Sequence, residues 1–177
     1  MAKPLTHNES HVLAVIRKWE PVTAYFVRKA LRQSFASSFS ESPGSIYPII
    51  ERLKNHAFVV AEDGPEAARK SELLSCTPLG ERAIREWLLR VDDGDLLPED
   101  PWRTRALFSE ILEPSAQIDW LHTLRAAADE ELEKINARVA MAADFYEATA
   151  AQSARLQIEA RLVWLDRLLA QSIPRGE

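Results

Sequence analysis

Residues 42–60 read SPGSIYPIIERLKNHAFVV, and this stretch decides the fold. Ser42 suits a helix N-cap and Pro43 the first helical position, where a missing N–H costs nothing. Ile46, Ile49, Ile50 and Leu53 then recur at helical spacing and form one apolar face. The other face carries Ser45, Pro48 and Arg52, flanked by Tyr47 and Glu51. A helix with small, polar and cationic groups on its outer face near the N-terminus can enter the major groove of DNA.

The surrounding chain supplies the rest of such a domain. Downstream, Phe58, Val59 and Val60 predict a strand, and residues 62–68, with Asp63-Gly64-Pro65, predict a turn. Arg69 and Lys70 follow, and residues 71–76 return as a second strand. Thr77-Pro78 caps and opens another helix, predicted over residues 79–91 with Ala83, Ile84, Trp87 and Leu88 on its buried side. Upstream, residues 6–19 predict a first helix with Val12, Leu13, Val15, Ile16 and Trp19 at its apolar positions. Pro21 breaks it, and residues 22–35 form a second helix that buries Phe26, Val27, Ala30 and Leu31. Residues 34–42 make a serine-rich turn. Two helices, a recognition helix, a hairpin and a further helix is the order of a winged helix-turn-helix. Arg69 and Lys70 at the hairpin tip would reach a phosphate or the neighbouring groove.

These residues resemble the PadR family of bacterial transcriptional regulators. The likeness runs through Pro21-Val-Thr-Ala-Tyr25, Ser42-Pro-Gly-Ser-Ile-Tyr-Pro48, Arg52-Leu53, Arg69-Lys70 and Thr77-Pro-Leu-Gly80, over roughly residues 12–88. Four positions depart from the family pattern. Ala24 stands where glycine usually precedes the tyrosine, Glu20 stands where glycine often precedes the proline, and Glu72-Leu73 replace the aromatic pair that commonly follows the basic wing residues. The resemblance implies that the serine, tyrosine and proline of residues 42–48 belong to a DNA-facing helix. It also implies a dimer controlled by a small molecule or another signal.

Composition sets bounds on this reading. At 177 residues with 46% hydrophobic content, the chain has material for one domain or two small ones. One cysteine, Cys76, excludes an intrachain disulfide and fits a reducing cytoplasm. No charged-then-apolar leader and no membrane-length apolar run is visible, so a soluble cytoplasmic protein is expected. The net charge of −5 is unevenly spread: residues 1–90 hold 13 Lys+Arg against 10 Asp+Glu, or +3, and residues 91–177 hold 9 against 17, or −8. The basic half is the one with the DNA-binding pattern, and the acidic half should face away from a duplex.

Residues 92–100, DDGDLLPED, form an acidic linker with Gly94 and Pro98 as breakers. The expected division is therefore a winged helix-turn-helix domain over 1–91, the linker over 92–100 and a C-terminal α-helical dimerisation domain over 101–177. A short helix is predicted over 101–112, a long one from Pro114 with Ser115 near its cap, and a last one over about 148–172. Leu121, Ala128, Leu132, Ile135, Val139 and Ala142 recur at three- and four-residue steps, a seam for packing against another helix. Ile158, Leu162, Leu165 and Leu169 make a matching stripe. Two helices bury little surface between themselves, so both stripes are assigned to a homodimer interface, with an intramolecular core as the alternative. The fold class is mainly α with a small β-hairpin wing.

Phosphate contacts set affinity and register, and base-edge contacts select sequence. Ser42 and Ser45 offer short hydroxyl donors, and Gly44 lets the backbone approach closely. Tyr47 is long enough for a phosphate or a base edge, and Pro48 can lie on a thymine methyl or bend the helix. Arg52, Lys54, Arg69 and Lys70 are candidate phosphate clamps, and Tyr25 sits between helices with its hydroxyl near the DNA backbone. Each has a plainer alternative. Ser42 can be only a cap, Tyr47 a half-buried core residue, and Arg52 a partner of Glu51 or Glu81. Trp19, Trp87, Trp102 and Trp120 are candidates for lining an effector pocket near a dimer centre. His7 and His11, four apart, lack a third ligand for zinc, and Asp92, Asp93 and Asp95 lack the rest of a calcium loop. No catalytic constellation, metal site or cofactor motif stands out. The expectation is a non-enzymatic, dimeric regulator of double-stranded DNA, a repressor relieved by an effector. The rival is a winged-helix module that binds protein instead of DNA.

Overall fold

The structure, a computed structural model, describes residues 5–34, 46–64 and 72–172. The chain divides into two compact units, Met1–Leu96 and Leu97–Glu177.

The first unit opens with a reciprocal cap. The Thr6 hydroxyl accepts from the Glu9 backbone N–H and the Glu9 carboxylate accepts from the Thr6 N–H, which starts helix α1 (His7–Trp19). Helix α2 (Ala24–Gln33) begins behind Thr23, whose hydroxyl accepts from the Phe26 N–H. Val22, expected inside this helix, is instead extended. It exchanges two backbone hydrogen bonds with Leu74, at 3.1 and 2.8 Å, and so adds a one-residue strand to the wing. Pro21 and the cap at Thr23 leave the intervening residue no helical role. The buried stripe of α2 falls on Val27 and Leu31. Phe26 packs edge-to-face on Trp19, and both are exposed rather than buried.

Helix α3 (Ile46–Asn55) buries Ile46, Ile49, Ile50 and Leu53. It ends with Ala57 at a positive φ of 57°, the Ala57 N–H bonding to the Lys54 carbonyl and the Phe58 N–H to the Leu53 carbonyl. Strands β1 (Val59–Asp63) and β2 (Glu72–Cys76) pair antiparallel from Val59↔Cys76 to Asp63↔Glu72. Glu62 and Asp63 are thus in the strand, not in the turn expected from the sequence. Helix α4 (Pro78–Leu89) is capped by the Thr77 hydroxyl, which accepts from the Gly80 N–H. A Cβ at Gly80 would collide with the Phe58 carbonyl oxygen and lie 2.7 Å from Cys76 Sγ, so this glycine is what lets α4 close on the wing. Leu88 is exposed, against expectation. One apolar core joins Val12, Leu13 and Ile16 of α1 to Val27 and Leu31 of α2, the four α3 residues, Val22, Val59, Leu74 and Ile84. Within the acidic stretch, Asp93–Leu96 forms a short helix, α5.

In the second unit, Asp100 caps α6 (Pro101–Ala106), and a 3-10 turn follows at Ser109–Ile111, so the single helix expected over 101–112 is broken. Helix α7 (Pro114–Val139) starts with Pro114 at its first position, as expected, and Glu113 is the N-cap residue. Helix α8 (Phe145–Ser172) begins earlier than expected. Asp144 accepts from the Glu147 N–H and Glu147 reaches back to the Ala143 N–H, a local cap that fixes the start. The two long helices pack on each other within one chain. Leu121, Ala128 and Ile135 of α7 and Ile158, Leu165 and Leu169 of α8 are buried, while Leu132, Val139 and Leu162 are half-buried. The stripes assigned from sequence to a second copy therefore face each other.

Candidate nucleic-acid interface

The α3 stripe that fills the core leaves Tyr47, Pro48, Glu51 and Arg52 pointing outward. Tyr47 is 42% exposed, enough to free its phenol for a partner. Pro48 is exposed on this outward face of the helix. Ser42, Gly44, Ser45, Arg69 and Lys70 lie outside the described residues.

The two cations expected to clamp phosphate from α3 are engaged. Arg52 pairs with Glu9 at 3.3 Å, not with Glu51 or Glu81. Lys54 holds Glu72 at 2.6 Å and Glu51 at 3.2 Å, and the Glu72 hydrogen bond keeps its ammonium above the usual lysine range. Lys54 thereby fastens α3 to strand β2. Glu72, one of the residues that replaces the family's aromatic pair, makes this contact.

Tyr25 on α2 is 61% exposed, and the Arg28 guanidinium lies 5.4 Å from its ring centroid. Tyr25, Arg28, Lys29, Arg32 and Gln33 line a concavity of about 340 Å³. The three cations were not singled out from sequence. Their signal was present as the 25, 28, 29, 32 spacing, one face of a helix opposite Val27 and Leu31.

The four tryptophans are divided between the units. Trp19 packs edge-to-face with Phe26 and lies under the Lys18 ammonium; Trp87 packs edge-on against His7. Trp102 sits beneath the Arg161 guanidinium at 5.0 Å, and Trp120 is half-buried on α7. None of them lines the α2 concavity. The His7 and His11 rings are 6.2 Å apart, and burial first, then His7, depresses the basicity of His11. Among the described residues no three His, Cys, Asp or Glu side chains converge as a metal site. Asp92 and Asp95 instead close the α5 turn on each other, with Arg90 paired to Asp92. No helix among the described residues is long and apolar enough to cross a membrane.

An exposed α3 face, a two-stranded wing and a third pairing at Val22 define a winged helix-turn-helix protein. Residues 12–86 match the model of the Transcriptional regulator PadR-like family. Comparison with curated proteins returns no match. Among solved structures, Bacillus subtilis PadR in complex with operator DNA is similar at 17% identity, over 97% of this chain and 100% of that chain, with a TM-score of 0.83. The same Bacillus protein in complex with p-coumaric acid matches at 19% identity, over 93% and 97%, with a TM-score of 0.76. The Vibrio cholerae virulence activator AphA matches at 16% identity, over 92% and 96%, with a TM-score of 0.70. At these identities the likeness is one of fold.

Proposed function

We propose that the protein is a sequence-specific, DNA-binding transcriptional regulator that acts as a homodimer in the cytoplasm, without catalysis. The observation that carries this is the outward face of α3, with Tyr47 and Pro48 free while the opposite face is locked into the core. The fold likeness to a PadR held on operator DNA supports the same docking. Two heads bind a near-palindromic operator with recognition helices about one turn, ~34 Å, apart, and repression follows by exclusion of polymerase. The second unit supplies dimer contacts through apolar positions left exposed after α7 and α8 have packed, including Leu107, Phe108 and Ile111 before α7 and Leu156 and Val163 on α8. A small-molecule effector relieves repression by binding one spacing of the heads better than the other. The p-coumaric acid complex of the Bacillus protein supports an effector of small-molecule size.

The test is binding of the purified chain to duplexes from the DNA upstream of its own gene, titrated over a salt series. Affinity falling steeply with salt supports the reading. Absence of binding to any native duplex even in dilute buffer sinks it and favours the protein-binding alternative. Within the complex, Tyr47→Phe weakens the preferred site by about 1–3 kcal/mol if the phenol reads a base.

A further inference from the structure

The outward face of α3 has a carboxylate at its middle. At about 100° per residue, Pro48, Glu51 and Asn55 fall within about 30° of the line opposite the buried Ile46, Ile49, Ile50 and Leu53, and Tyr47 and Arg52 flank that line at about 70°. The Glu51 side chain is 61% exposed. It contacts Lys54, whose Nζ lies 3.2 Å from Glu51 Oε1 but 2.6 Å from Glu72 Oε2. Glu72 already fixes Lys54, and an exposed ion pair such as Glu51–Lys54 stabilises a fold little. Against a duplex the same carboxylate is repelled by phosphate, and the neighbouring ammonium offsets part of that repulsion. A carboxylate accepts hydrogen bonds and donates none. In the major groove guanine offers it only acceptors, thymine an acceptor and a methyl group, adenine an acceptor beside its amino group, and cytosine an amino donor alone.

We propose that Glu51 is a specificity-determining residue: its carboxylate accepts a hydrogen bond from the N4 amino group of a cytosine, and the operator carries C·G at that one position of each half-site. The proposal rests on the DNA-binding reading above and names part of the sequence selected. Glu51, at the middle of the outward face, points at the groove floor, where the base edges lie. Lys54, three residues on, orients the carboxylate before docking, so less side-chain freedom is lost when the contact forms. The same carboxylate excludes guanine and thymine by setting acceptor against acceptor.

The test is selection from a pool of duplexes randomised over about 20 base pairs, enough for two half-sites one turn apart. The wild-type protein, Glu51→Ala and Glu51→Gln are each used, and fluorescence anisotropy then compares the enriched duplex with versions changed at single base pairs. The wild type is expected to enrich C·G at one symmetry-related position and to bind duplexes changed there about 5- to 150-fold more weakly, the range for one good base contact. Glu51→Ala loses that discrimination and keeps the preferences at all other positions. Glu51→Gln moves the preference at that position to A·T, because a glutamine amide pairs with adenine N6 and N7. This variant has nearly the shape of the native side chain, which guards against a loss of folding in Glu51→Ala. A Glu51→Ala protein with the wild-type preference at every position overturns the proposal. So does one that binds all duplexes more tightly by a common factor with its preferences intact, since Glu51 would then act only as a repulsive charge. Both results leave the DNA-binding reading standing. Wild-type protein that enriches no sequence removes the sequence-specific reading itself and this assignment with it.

Discussion

Glu20 Oε2 accepts a 2.6 Å hydrogen bond from the Cys76 backbone N–H and ties the end of α1 to the end of strand β2. Its other oxygen pairs with Arg17 at 3.2 Å, and Arg17 in turn donates to Glu81 of α4 at 2.6 Å. One carboxylate at the position where the family often has glycine therefore laces the helix core to the wing. Glu20→Ala leaves the partly buried Cys76 N–H without this acceptor and should cost about 1.5–3 kcal/mol, the range for a hydrogen bond to a charged group. Glu20→Gln keeps an acceptor and should cost less. Urea midpoints measure both, and equal losses would place the effect in the ion pair with Arg17 instead.

The same neighbourhood makes Cys76 a reluctant thiolate. Burial first, then the negative charge of Glu20, pushes its pKa from 9.0 to about 11. A group whose pKa rises on folding stabilises the fold while protonated, so its contribution is complete below about pH 9 and is lost as pH climbs through about 11. The wild type should therefore lose stability between these two values more steeply than Cys76→Ala. Parallel denaturation curves across that window would contradict the assignment. At pH 8 the native thiol should also alkylate about a hundredfold more slowly than in the unfolded chain, the ratio of the two thiolate fractions.

Gly80 sits where α4 crosses the base of the wing. Its missing side chain accommodates the Phe58 carbonyl oxygen, a backbone atom that cannot swing aside. Gly80→Ala should gain the usual helix preference of alanine and still destabilise by about 1–3 kcal/mol, because overpacking outweighs propensity. A thermal melt decides the sign; a stabilised variant would mean that α4 can shift off the hairpin at little cost.

Much of this architecture was legible in short-range signals. Thr77-Pro78 marked the start of α4, and Ile46, Ile49, Ile50 and Leu53 gave the buried face of α3. What escaped depended on partners distant in sequence. Val22 looks helical until Leu74 offers it a strand, and Trp19 and Phe26 look buried until each covers the other. The candidate site was legible in the same uneven way. Tyr47 and Pro48 stood out by position, but the engagement of Arg52 by Glu9, and of Lys54 by Glu72 eighteen residues on, could be read only from the folded chain.

The long helices carry the last expectation. Their heptad-like stripes satisfy each other within one chain, so inner and outer positions should answer different experiments. Leu165 is fully buried between α7 and α8, and Leu165→Ala should cost about 2–5 kcal/mol of stability. Ile135→Glu should cost at least as much, since it places an unpaired carboxylate in the same seam. Neither acts first on association. Leu156 and Val163, 54% and 52% exposed and seven residues apart, lie on the outer side of α8. Leu156→Glu/Val163→Glu should therefore leave the melt of the second unit nearly unchanged while shifting sedimentation from dimer toward monomer. The opposite pattern, with Ile135→Glu giving a folded monomer and the outer variant an intact dimer, would return the seam to the contact between copies.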